Sequence, residues 1–275
     1  MFFSQNFIKS SFLVKQLLNI SSICSDDLVI EIGPGLGIIS QELLNLAKKV
    51  IVIEKDRDLI AELENKFNQN KNLKIFKQDF LNWNLPDEPF KIFSNIPFSI
   101  TAEIIDKILK SKNKPNEIYF ILQLEAAEKY ILDTKFNTQN SIILAIFYDI
   151  EILGDIDRTS FTPKPQVDIV LAKFTLKNKS LMDFILYQQF RDFVIFGFNQ
   201  WKPNIFEIYK KVFSYDQFKK INSQLKINNL KPSQLNFDQW LKFFYIYQDF
   251  VSPDKKRLIS GFEKTYLKNI RNKRS

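Results

Sequence analysis

Between Asp27 and Leu176, short runs rich in valine, isoleucine and phenylalanine alternate with longer stretches whose apolar residues recur at helical spacing. A parallel strand is buried on both faces and returns through a helix, so this alternation specifies an α/β sheet covered by helices. It predicts strands at Leu28–Ile32, Lys49–Ile53, Leu73–Lys77, Lys91–Ser94, Glu117–Gln123, Asp149–Leu153 and Asp168–Phe174. It predicts helices at Gly37–Leu46, Arg57–Asn68, Thr101–Lys110 and Leu124–Leu132. No helix-length segment separates the last two strands. The loop Asp155–Pro165, with Pro163 and Pro165, fits an antiparallel hairpin there. After Asn178 the pattern is helix only, at Leu181–Asn199, Ile205–Phe213, Tyr215–Gln224 and Phe237–Phe250. Residues 1–178 therefore read as an α/β domain and residues 179–275 as a small all-α domain.

The chain has no histidine and one cysteine, Cys24. Internal disulfides, histidine-based triads and the usual zinc clusters are thereby excluded, and no metal is expected. Apolar runs are short and broken by charge, and no basic segment leads into a long apolar stretch, so a cytoplasmic protein without a membrane partner is expected. The formal charge of +8 is unevenly placed: residues 255–275 hold eight basic side chains against one acid, Glu263. Such a tail is either a solvated end or a phosphate-binding one.

Glu31-Ile32-Gly33-Pro34-Gly35-Leu36-Gly37 stands where the first strand turns into the first helix. Three glycines at alternate positions let main chain pass close to a ligand. The spacing is neither the Gly-x-Gly-x-x-Gly of dinucleotide folds nor a phosphate loop with its Lys-Ser/Thr. Glu54 ends the second strand, where a carboxylate can accept both hydroxyls of a ribose, and Asp79 ends the third, where one can accept from an adenine amine. Glu54 can equally pair with Lys55 or Arg57, and Asp79 can cap a turn.

Asn95-Ile96-Pro97-Phe98 follows the fourth strand. As a turn, its asparagine would cap main chain and its phenylalanine would pack inward. As a site, the Asn95 amide oxygen and the Ile96 carbonyl, which faces a proline without an N–H, would accept the two hydrogens of an amine, and Phe98 would stack on a base.

With these residues in order, the chain resembles the ribosomal RNA adenine-N6 methyltransferases. The resemblance runs from Ser4-Gln5-Asn6-Phe7-Ile8 through Glu31–Gly37, Glu54, Asp79-Phe80 and Asn95–Phe98 to Phe161-Thr162-Pro163-Lys164-Pro165-Gln166-Val167-Asp168. It implies a seven-stranded Rossmann-like class I methyltransferase sheet with an antiparallel final strand, a helical RNA-binding domain, S-adenosyl-L-methionine as cofactor and a monomer acting on ribosomal RNA. Asn6, Ile8, Gly33, Pro34, Gly35, Gly37, Glu54, Asp79, Phe80 and Asn95 would meet the cofactor. Asn95, Ile96, Pro97, Phe98 and Phe161 would meet the target adenine, Phe161 being either a second aromatic at the base or a core residue.

Two branches of this family compete. Asn95-Ile96-Pro97, the amino-terminal Ser4–Phe7, Trp201-Lys202-Pro203, Phe213-Ser214 and Phe237–Leu241 resemble the Erm type, which methylates 23S RNA and confers macrolide, lincosamide and streptogramin B resistance. Gly33–Gly37 with Leu36 is similar to the housekeeping dimethyltransferases of the small subunit. Phe98 departs from both, where tyrosine is commoner. A non-catalytic RNA-binding factor of the same fold is the reading from another class; Asn95, Glu54 and Asp79 argue against it.

Overall fold

The computed structural model describes residues 6–133 and 135–272, so Ser4, Gln5, Lys273 and Arg274 of the motifs above lie outside the described residues. The chain divides into two units, with Tyr148–Lys177 joining the stretch up to Glu128, and Lys129–Phe147 joining the chain from Asn178 onward.

The first unit begins with β1 (Phe7–Ile8) and α1 (Ser11–Asn19), then alternates β2 (Leu28–Ile32), α2 (Ile38–Leu46), β3 (Lys49–Glu54), α3 (Arg57–Lys66), β4 (Leu73–Lys77), β5 (Lys91–Asn95), α4 (Thr101–Lys110), β6 (Glu117–Gln123) and α5 (Leu124–Glu128). It closes with β7 (Tyr148–Ile156), β8 (Phe161–Thr162) and β9 (Ile169–Leu176). Seven strands form one sheet in the order β4-β3-β2-β5-β6-β9-β7, while β1 and β8 make a separate antiparallel pair. β2 is buried at all five positions because α-helices cover both faces, whereas the edge strand β4 is only half-buried. β9 runs antiparallel to both β6 and β7, as a chain returning through a loop must.

The expected helix at Leu124–Leu132 stops at Glu128, and local polar groups show why. The Lys129 carbonyl accepts the Thr138 hydroxyl, and the Asp133 N–H goes to the Asn137 side chain at 3.0 Å. Both groups are thus taken from the helical ladder by a loop that belongs to the other unit. The segment 129–147, read from sequence as part of residues 1–178, is therefore reassigned to the helical unit.

That unit contains α6 (Gln139–Leu144), α7 (Phe184–Phe198), α8 (Ile205–Tyr209), α9 (Tyr215–Leu225), α10 (Phe237–Phe250), α11 (Pro253–Lys256) and α12 (Phe262–Asn272). Side-chain caps set the starts: Asp183, Asn204, Ser214 and Asn236 each accept from a first-turn amide. α8 is shorter than the predicted Ile205–Phe213 because the Val212 and Phe213 amides both turn back to the Tyr209 carbonyl, at 2.8 and 3.0 Å. Phe193 lies at the centre of an aromatic core, 4.8 Å from Tyr209 and 5.0 Å from Phe243 between ring centroids.

The basic tail is folded within the described residues. Arg191 of α7, 5 % exposed, forms a bidentate pair with Glu263, and Asp192 accepts the Gly261 and Glu263 amides at 2.7 and 2.9 Å, capping α12. The single acid of the tail is therefore spent inward, and Lys264 and Lys268 stay exposed.

Gly197 sits inside α7, where a Cβ would stand 2.6 Å from Trp240 and 2.6 Å from the Tyr209 hydroxyl, itself bonded to the Phe193 carbonyl. Alanine normally favours a helix over glycine by up to about 1 kcal/mol. Here the overlap wins, and Gly197→Ala is expected to destabilise the protein by about 1–3 kcal/mol, read as a lower urea midpoint. An unchanged midpoint would show that the ring and hydroxyl can give way.

Candidate active site

In the strand order the chain leaves β2 toward β3 on one side, while β5 pairs with its other side. A crevice opens at this switch point, outside the carboxyl ends of parallel strands. Gly33 follows β2, Glu54 ends β3, Asp79 follows β4 and Asn95 ends β5, so four candidates from sequence come to one edge of the sheet.

The turn from β2 into α2 uses left-handed backbone at Gly35 and Gly37, with φ of 55° and 72°. At Gly35 a Cβ would stand 2.7 Å from the Phe7 ring, so lack of a side chain is what lets β1 lie against the turn. The Gly33 amide donates to the Ile53 carbonyl at 2.9 Å and the Gly37 amide to the Pro34 carbonyl at 2.9 Å, which fixes the turn between neighbouring strands. Phe7, Ile8, Glu31, Gly33, Pro34 and Asn95 share one small pocket.

Glu31, at the head of the glycine motif, is the most perturbed acid of the site. It is 1 % exposed and its Oε2 accepts the Ser40 hydroxyl at 2.5 Å. Burial pushes its carboxyl up to about 8; the Ser40 hydrogen bond opposes this, Glu54 adds to it and Lys66 opposes. The signal available in sequence was a carboxylate inside the otherwise apolar Leu-Val-Ile-Glu-Ile. Ser94, for which the sequence carries no signal, is fully buried and accepts the Ile32 amide at 2.7 Å, joining β2 to β5 below the site.

Glu54 is 7 % exposed and makes neither of the side-chain pairs considered from sequence. Its Oε1 accepts the Lys55 and Asp56 amides at 2.8 and 2.9 Å, leaving Oε2 without a donor among the described residues. Asp79 does cap a turn: Oδ1 accepts the Leu81 amide at 2.8 Å, while Oδ2 lies 3.9 Å from the Lys55 ammonium. Phe80 is 4 % exposed, its ring covered by the Lys107 ammonium at 5.5 Å, so its side chain is a core group.

Asn95 is half-buried and donates through Nδ2 to the Asn6 carbonyl at 2.7 Å. That bond orients the amide and leaves Oδ1 with no donor among the described residues. The Ile96 side chain is buried, and its carbonyl likewise accepts nothing from them. Pro97 starts a short turn, its own carbonyl taken by the Ile100 amide and the Thr101 hydroxyl at 3.2 and 3.4 Å. The two aromatics part company here. Phe98 is half-buried against the core, whereas Phe161, opposite Ile8 in the β1–β8 pair, is 1 % exposed within it. Of the two places open to Phe161 from sequence, a face at the base or the core, the structure puts its ring in the core.

The family model for ribosomal RNA adenine dimethylase matches residues 1–249.

The chain belongs to the ribosomal RNA adenine dimethylase family.

Its relatives in this family include the ribosomal RNA small subunit methyltransferase A of Malacoplasma penetrans, 30% identical over 250 residues, 89% of this chain and 90% of that one. The rRNA adenine N-6-methyltransferase of Bacillus licheniformis is 29% identical over 257 residues, 92% and 89% of the two chains. The crystal structure of the 23S rRNA methyltransferase ErmE shares the fold, with a TM-score of 0.76 at 23% identity, over 89% of this chain and all of that one. As a member of the dimethylase family, the protein is an rRNA adenine methyltransferase that uses S-adenosylmethionine. The residues present fit that cofactor: a small pocket lined by Gly33, Pro34 and Asn95, and a buried carboxylate with one oxygen to spare at the next strand tip. Among the described residues no helix is long and apolar enough to cross a membrane.

Proposed function

We propose that this chain transfers a methyl group to N6 of an adenine in 23S ribosomal RNA, as an Erm-type resistance enzyme does. The observation carrying the chemistry is the pair of unmet acceptors, Asn95 Oδ1 and the Ile96 carbonyl, beside the half-buried Phe98 ring. An exocyclic amine has two hydrogens; binding both turns its nitrogen lone pair out of conjugation with the ring and toward an incoming methyl. Bound S-adenosylmethionine supplies that methyl already activated on a sulfonium. No strong base is then required, which suits a chain without histidine, and positioning carries most of the rate.

Glu54 would hold the cofactor's ribose hydroxyls through Oε2, and Asp79 would accept from its adenine amine. Asn6 and Ile8 would help close over the cofactor, Gly33 would approach its methionine part, and Pro34, Gly35 and Gly37 would shape the loop. Phe98 stacks on an adenine taken out of its helix, a contact worth about 1–3 kcal/mol.

The 23S branch is supported by Asn95-Ile96-Pro97 and by Phe213-Ser214 and Phe237–Leu241, which build the helical unit: Phe213 stacks on Phe243, Ser214 caps α9 and Trp240 is fully buried. The Leu36 glycine turn and the Malacoplasma penetrans relative favour a second reading, the small-subunit dimethyltransferase. Incubation with labelled S-adenosylmethionine separates them. Label in N6 of an adenine of protein-free 23S RNA is expected. Label confined to immature small subunits would replace the first reading with the second, and RNA retention without any label would leave a non-catalytic binder.

A further inference from the structure

Trp201 is the most exposed large apolar residue described, at 101 % of full accessibility, while Trp83 and Trp240 are 5 % and 0 % exposed. Tryptophan is normally among the better-buried side chains, because its ring gains most from leaving water. Nor is it on a loose tip. Before it, the Asn199 side chain donates to Gln139 and to the Ile195 carbonyl, at 2.8 Å each. After it, Asn204 caps α8, the Ile205 amide donates to the Leu230 carbonyl at 2.9 Å and the Phe206 amide to the Asn228 carbonyl at 3.1 Å. The last two bonds join the start of α8, just after Trp201, to the loop 226–231. The two short stretches 200–204 and 226–231 contribute Lys202, Lys226 and Lys231, all exposed, and not one carboxylate.

A water-facing indole on a main chain anchored at both ends, in stretches that carry ammonium groups and no carboxylate, offers what a stacked base and its phosphates require: a π-face and positive charge. A protein partner would favour an apolar rim with some acidic counterpart, and the two stretches here carry only basic charge. We propose that Trp201 is a stacking platform for an unpaired RNA base, with Lys202 and Lys231 binding the adjoining phosphates. It is a second RNA contact, on the helical unit, distinct from the Phe98 face. It rests on the reading that the chain acts on RNA.

The test uses the full-length protein, an unstructured twelve-nucleotide RNA, and the same RNA annealed to its complement. Since the other two tryptophans are buried, solvent-exposed emission reports Trp201. The single strand is expected to quench that emission strongly and the duplex weakly. Trp201→Ala should weaken single-strand binding about tenfold, while Trp201→Phe, which keeps a ring, stays within about threefold. Lys202→Glu with Lys231→Glu should flatten the salt dependence of binding. Absence of quenching, equal quenching by duplex, or Trp201→Ala binding within twofold of the parent would overturn the proposal. None of these readouts needs methyl transfer: quenching without labelled RNA would leave the platform standing and remove the 23S activity, and the reverse result would do the opposite.

Discussion

Asn95→Ala is expected to lower single-turnover methyl transfer by about 10²–10³-fold, the usual cost of deleting one preorganised polar group aimed at a reacting centre. The side chain has two tasks in this structure. Its Nδ2 ties the Asn6 carbonyl at 2.7 Å, and by doing so it sets Oδ1 free to accept. Alanine removes both. Cofactor affinity, measured by calorimetry, should fall far less, by under about tenfold, because Gly33, Glu54 and Asp79 hang on other strands. Asn95→Asp keeps an acceptor but sets a carboxylate against the Asn6 carbonyl, so it should restore little. Turnover of Asn95→Ala within threefold of the parent would end the role given to this amide.

The second large effect lies in stability. Glu31 favours its protonated form when folded, with a carboxyl raised from an ordinary 4.5 to about 8 by burial. The folded state therefore holds one proton more than the unfolded state in that window, and stability falls as pH rises from about 4.5 to 8, then levels. A shift of this size corresponds to about 5 kcal/mol. Glu31→Gln keeps the shape and can still bond Ser40, whose hydroxyl turns to accept. The variant is expected to match the parent near pH 4.5 and to exceed it by several kcal/mol at pH 8 in urea unfolding without cofactor. Parallel pH profiles for the two proteins would show that Glu31 is charged in the folded state.

How much of this was legible beforehand depended on whether a feature is local. The strands from Leu28 to Lys77 and the helix Thr101–Lys110 follow from apolar period alone, and their parallel arrangement brings Gly33, Glu54, Asp79 and Asn95 to one edge. β1 is two residues long and exists through pairing with Phe161–Thr162, far along the chain, so no window of sequence contains it. The early end of α5 comes from Thr138 and Asn137 capturing groups that a helix would use, again a tertiary event. Phe98 and Phe161 have the same side chain beside similar proline turns. Only packing shows that one ring is half open and the other covered. Glu31 is the opposite case: an acid in the middle of an apolar strand was visible, and its burial was the inference to draw.

The pairing of Arg191 with Glu263 also bears on how the chain is made. During synthesis Arg191 emerges with α7, and its carboxylate partner follows 72 residues later. Without residue 263 onward, α7 loses both this bidentate pair and the helix α12 that the pair and Asp192 hold. A nascent or prematurely terminated product ending before residue 263 therefore carries a built-in defect in its helical unit.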